Sequence, residues 1–149
     1  MNVGKICNRD VVFIHQDASV PEAARLMREY HVGDIVVVDE KSGTRVPVGI
    51  VTDRDIVLEV VAEGVNVNDV SVRDIMSDKL VTARESDSAL DTVKMMRAKG
   101  VRRLPVINDD NELAGILSVD DLIELLSEQT ADLAKLIARE QKLEKEKRR

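Results

Sequence analysis

The chain has 149 residues, 44% of them hydrophobic and 34% charged, with a net charge of −6 and aromatics at only 1%. That balance excludes a disordered chain and suits one compact body, or two small units sharing an aliphatic core. An acidic field with few stacking rings argues against nucleic acid and anionic lipid as partners.

Cys7 is the single cysteine, so no internal disulfide forms, in keeping with a reducing compartment. No apolar run is long enough to span a bilayer and the start lacks a signal-peptide pattern, so the expected location is cytoplasmic, with no membrane partner.

Val11-Val12-Phe13-Ile14 reads as a short strand. Ser19 then caps a helix, with Glu22 three residues on and an inner face of Val20, Ala23, Ala24 and Met27. Ile35 to Val38 is a buried strand, followed by a loop over residues 39–45 and a third strand at Val48 to Val51. A helix starts after Thr52 and stops near Gly64.

The order then recurs. Val81 falls on a strand. Ser88 and Asp91 open a helix whose inner face is Ala89, Thr92, Val93 and Met96, and Gly100 ends it. Leu104 to Ile107 and Leu113 to Leu117 are the next strands, with Pro105 pointing to an edge or strand-end position. The last helix begins after Ser118. From Leu122 an apolar spacing of four and three runs through Leu126, Gln129, Leu133, Leu136, Glu140 and Leu143. This stretch either lies on its own protein as an amphipathic helix or pairs with a second subunit.

The recurrence is a sequence repeat. Val3 to Asp39 parallels Val72 to Asn108 at a shift of 69, and Gly49-Ile50-Val51-Thr52-Asp53-Arg54-Asp55-Ile56 parallels the stretch from Gly115 to Leu122 at a shift of 66. The first copy therefore carries three extra residues, best placed near Lys41 to Arg45. The expected organisation is a first repeat with its lead-in over 1–65, a linker at 66–71, a second repeat over 72–129 and a charged C-terminal helix over 130–149. A lone copy is of marginal size, so the two should fold against each other. The expected fold class is α+β, built from two β-α-β-β-α repeats and a helical extension.

Both copies keep a hydroxyl and a carboxylate three residues apart where a strand turns into a helix: Thr52 with Asp55, and Ser118 with Asp121. Such a pair is a capping box. It also suits a sugar phosphate, because the hydroxyl can donate to phosphate while the carboxylate accepts from two ribose hydroxyls. Capping alone does not require the Gly-Ile-apolar lead that precedes both.

With those endings, the Val72-Arg73-Asp74-Ile75-Met76 entry and the Val101-Arg102-Arg103-Leu104-Pro105-Val106 segment, the chain resembles a tandem pair of cystathionine-beta-synthase (CBS) domains, a Bateman module. The resemblance covers nearly everything up to about Gln129. It implies two clefts between the copies, related by a pseudo-twofold axis, that in many relatives take AMP, ADP, ATP or S-adenosylmethionine. Carried over by position, it puts Ser118, Asp121 and Ile116 in one cleft, with Cys7, Val12 and Val32 from the first copy and Arg102 and Arg103 facing phosphate. The other cleft would use Ile50, Thr52 and Asp55, with Arg54, and with Met76, Val81 and Val101 from the second copy. Since Gly33 and Asp34 stand where the second copy has Arg102 and Arg103, the Ser118 cleft is expected to be the better nucleotide site. Cys7 on its own reads as a small buried hydrophobe, and by resemblance lies near a cleft mouth.

No phosphate-loop, His-Glu-x-x-His or Cys-x-x-Cys motif occurs, and His15 and His31 have no partner at metal-ligand spacing. No residues combine as acid, base and nucleophile, so neither an enzyme nor a metal site is expected, and no cofactor is required. Two functions fit: a stand-alone sensor binding an adenosine compound, relaying occupancy to an unidentified protein partner or within a homodimer, or a dimerising adaptor whose clefts stay empty.

Overall fold

The computed structural model describes residues 1–41, 43–77 and 79–148. In chain order it contains α1 (Val3–Ile6), β1 (Phe13–His15), α2 (Val20–Tyr30), β2 (Asp34–Lys41), β3 (Thr44–Thr52) and α3 (Asp53–Ile56), which continues as a π-helical turn over Val57–Val61. Then follow α4 (Val72–Ile75), β4 (Ala83–Arg84), α5 (Ala89–Lys99), β5 (Arg103–Ile107), β6 (Leu113–Ser118) and α6 (Val119–Lys147). Each repeat forms one three-stranded sheet, ordered β1-β2-β3 and β4-β5-β6, with the first pair parallel and the second antiparallel.

The helices begin where the side chains cap them. Ser19 and Ser88 accept from the backbone N–H of Glu22 and Asp91. They end where the backbone turns left-handed, at His31 (φ 54°) and Gly100 (φ 67°). On α5 the buried face is Thr92 and Met96; Val93, expected on it, is 41% exposed. The loop expected over 39–45 is shorter than that, because β2 runs on to Lys41 and β3 resumes at Thr44.

Pro105 lies on β5, the middle strand of its sheet, not on an edge. Its counterpart Val36 donates its N–H to the Val12 carbonyl at 3.2 Å. Proline has no N–H to give, so the equivalent bond to Val81 is missing and β4 starts only at Ala83. Val81, expected on a strand, is thereby left outside the sheet.

The lead-in segments cross over. Val3 is buried in the core of the second repeat, with Ala83, Met96, Leu104, Val106 and Leu117. Val72 and Ile75 are buried in the first, with Val20, Ala23, Ile35, Val37 and Val51. The backbone bonds repeat with the same exchange. Val3 donates to Asp87 and Val72 to Ala18, both at 2.9 Å; Gly4 donates to Glu85 and Arg73 to Gln16. Each donor and acceptor sits 69 residues from its twin, so the halves are related by an approximate twofold axis. Neither half has a complete core without the other's lead-in, which ties the two into one body.

Candidate ligand cleft

The crossing explains the glycine lead. After α4 the chain passes over β3, and the Ser77 N–H donates to the Ile50 carbonyl at 3.1 Å. A Cβ on Gly49 would stand 2.7 Å from both the Met76 Sδ and the Ser77 carbonyl oxygen. In the twin crossing Asn8 and Ile116 exchange N–H···O bonds of 2.9 Å, and a Cβ on Gly115 would stand 2.7 Å from Cys7 Sγ. Close backbone approach therefore requires these glycines, whatever binds nearby. Met76 and Cys7 serve as the covering side chains, and burial pushes the half-buried Cys7 thiol above its usual range.

Beside the Gly49 crossing lies a cavity of about 270 Å³ built by both repeats. The first repeat supplies Ile50, Thr52 and Asp55; the second supplies Ser77, Lys79, Leu80, Val81, Val101, Arg102 and Arg103. Thr52 and Asp55 form a reciprocal capping box. The Asp55 N–H donates to Thr52 Oγ1 at 3.0 Å and the Thr52 N–H donates to Asp55 Oδ2 at 2.9 Å. Capping and ligand contact do not compete here: the Thr52 hydroxyl still has its proton, and Asp55 Oδ1 makes none of the bonds of the capping box.

Arg102 and Arg103, expected in the Ser118 cleft, line the Thr52 cavity with Val101, while their backbone adjoins Ser118: Arg103 pairs with Ser118 across β5 and β6, and the Arg102 carbonyl accepts from the Val119 N–H at 2.8 Å. The reason is the crossing itself: the strand entry of one repeat faces the helix start of the other. Arg103 Nη1 meets Asp34 Oδ2 at 2.6 Å. Positions 34 and 103 are twins, so this ion pair bridges the pseudo-twofold axis. Burial holds the Asp34 carboxyl above the usual carboxylate range, with Arg103 opposing the shift and Asp53 adding to it. Arg102 reaches Asp120 only at 3.7 Å, and both are well exposed, so this contact contributes little. Arg54 is exposed and does not line the cavity.

The Ser118 side is built differently. Ser118 is buried and its Oγ accepts from the Asp121 N–H at 3.1 Å, without the reciprocal bond seen at Thr52. Asp121 shares a hollow of about 220 Å³ with Ile6, Cys7, Asn8, Glu124, Leu125 and Glu128. Val12 lines a separate hollow with Asp10, Phe13 and Tyr30. Val12 and Val32 pack against the first repeat's core, and Ile116 is half-buried under Asn8. The residues expected to share this cleft are thus divided, and its charged side chains are carboxylates. Lys79, which the sequence reading did not single out, is the twin of Asp10; the repeat shift alone would have shown this charge reversal.

Among the described residues no cluster of three His, Cys, Asp or Glu could hold a metal ion, and no helix is long and apolar enough to cross a membrane.

This crossed pair of small sheets, with a cavity at the seam, defines a CBS-domain pair, and the CBS domain family matches residues 3–62 and 72–128. The chain belongs to that family. Its relatives include the Methanopyrus kandleri protein MK0525, 38% identical over 125 residues, which cover 84% of this chain and 62% of that one; this chain thus spans under two thirds of that relative's length. The CBS domain-containing protein YhcV of Bacillus subtilis is 34% identical, with 83% and 85% covered. Among solved structures, the CBS domain pair of protein MJ0100 in complex with 5′-methylthioadenosine and S-adenosyl-L-methionine superposes with a TM-score of 0.70 at 25% identity, covering 85% of this chain and 99% of that one.

Proposed function

We propose that this chain is a regulatory module that binds a phosphate-bearing adenosine compound in the Thr52 cavity. The observation that carries this reading is the meeting of Thr52 and Asp55 from one repeat with Lys79, Arg102 and Arg103 from the other around one cavity. Asp55 would accept from the ribose hydroxyls, Thr52 would donate to the first phosphate, and the apolar Ile50, Val81 and Val101 would flank the base. The three cations would meet the phosphates, with Arg103 shared with Asp34. At about 270 Å³ the cavity is near the small end of ligand pockets, which fits a nucleoside whose outer phosphates reach toward solvent. The MJ0100 pair, a relative by fold, is complexed with two adenosine compounds, which supports an adenosine rather than another sugar.

Because the wall comes from both repeats, a ligand that bridges them favours one relative angle between the halves; that is the differential contact a relay needs. The Ser118 side, lined by Asp121, Glu124 and Glu128, repels phosphate and is proposed to stay empty of nucleotide.

Calorimetric titration with AMP, ATP and S-adenosylmethionine tests this. One site per chain is expected, with the nucleotides bound more tightly than the cationic sulfonium compound. No heat and no thermal stabilisation at millimolar concentration of any of them would instead leave a dimerising adaptor with empty clefts.

A further inference from the structure

The C-terminal helix α6 is 29 residues long, about 43 Å at 1.5 Å per residue. Its first two turns rest on the body, where Leu122 joins the second repeat's core and Leu125 lies near Ile6 and Cys7. From Leu126 onward every described residue is exposed. Leu126, Leu133 and Leu136 are each more than 60% exposed, and Leu143 is 46% exposed. A single helix with such a stripe does not hold together in water on propensity alone; its stability comes from covering that face.

We propose that α6 pairs antiparallel with α6 of a second copy of this chain. Two features select that occupant and that direction. The first is charge. From Val119 to Asp132 the helix carries five carboxylates and no base, whereas from Leu133 to Arg149 it carries seven bases against three acids. A parallel pair sets like halves side by side; an antiparallel pair sets each acidic half against a basic one. The second is the order of the seam: Leu126, Gln129, Leu133, Leu136, Glu140, Leu143. Read from either end it is leucine, polar, leucine, leucine, polar, leucine. In the antiparallel register Leu126 meets Leu143, Leu133 meets Leu136 and the Gln129 amide meets the Glu140 carboxylate. In the parallel register Glu140 would face Glu140 across a desolvated seam, which opposes pairing. The flanks agree, because Asp132 and Arg139 hold matching positions beside the seam and face each other in the antiparallel pair.

Cysteine pairing reads the direction directly. In the full chain with Cys7→Ser, Leu126→Cys and Leu143→Cys are made separately, both at exposed sites, and mixed under mild oxidation. The mixture is expected to form the disulfide-linked dimer at least tenfold faster than either variant alone. Linkage of Leu126→Cys to itself as fast as in the mixture would establish a parallel pair and overturn the proposal. No disulfide-linked dimer in any sample would overturn it as well. Neither outcome depends on whether the Thr52 cavity takes a nucleotide.

Discussion

The two clefts share a backbone and differ in charge. Each has a glycine lead, a hydroxyl and a carboxylate at a helix start, and a lead-in segment of the opposite repeat crossing over it. The Thr52 cavity, however, is lined by Lys79, Arg102 and Arg103, whose twins are Asp10, Gly33 and Asp34, and the charged residues of the hollow beside Asp121 are Glu124 and Glu128. Duplication copied the frame; the substitutions that followed separated the chemistry. Ligand preference is therefore carried by the residues at which the twins differ, and these can be changed without breaking the shared frame.

The frame gives the largest effects, equal on both sides. Gly49→Ala and Gly115→Ala each force a Cβ to within 2.7 Å of a neighbouring atom. Overpacking of this kind costs about 1–3 kcal/mol, so both variants should lower the melting temperature by similar amounts. A loss confined to one of them would show that the crossings are not equivalent.

The chemistry should break on one side only. Hydrogen bonds to a charged group contribute roughly 1.5–3 kcal/mol, so Asp55→Ala should weaken nucleotide binding at least about tenfold. Asp121→Ala should change it by less than about twofold, because Asp121 lines a different hollow, with Glu124 and Glu128. Calorimetry on both variants makes the comparison. Arg102→Ala should act more gently, lowering affinity for ATP several-fold and for adenosine hardly at all, with the loss shrinking at high salt.

The smallest expected effect concerns Asp34. Its raised acid pKa means that the folded chain holds this proton more readily than the unfolded one. The associated stability is present at low pH and is lost as pH rises through the raised folded value. As a carboxylate it engages Arg103. Asp34→Asn should release Arg103 to the cavity and tighten nucleotide binding by roughly two- to fivefold, the range of a modest ion pair. The gain should disappear as pH falls through the Asp34 titration, because protonation then does the same to the natural chain. Binding curves at several pH values check the sign.

Much of the frame was legible in the sequence. The repeat, the capping residues Ser19 and Ser88, the succession of strands and helices along the chain and the α+β class follow from periodicity and punctuation that local physics enforces. What failed was relational. A shift of 69 says which residues are twins but not which twin faces which cleft. Arg102 and Arg103 were expected only beside Ser118, yet they also line the Thr52 cavity, because the crossing that brings the repeats together is a long-range contact with no local signature. Gly49 and Gly115 carried a hint, since a glycine in a buried strand signals close approach. Pro105 misled for a related reason. Its missing N–H faces a gap where β4 has not yet begun, so it is tolerated on a central strand.

A crystal of the chain grown with ATP would decide the central claim. The account predicts density for the nucleotide in the Thr52 cavity, its ribose hydroxyls on Asp55 and its phosphates toward Arg102 and Lys79, with none beside Asp121. Nucleotide density on the Ser118 side, with the Thr52 cavity empty, would contradict it.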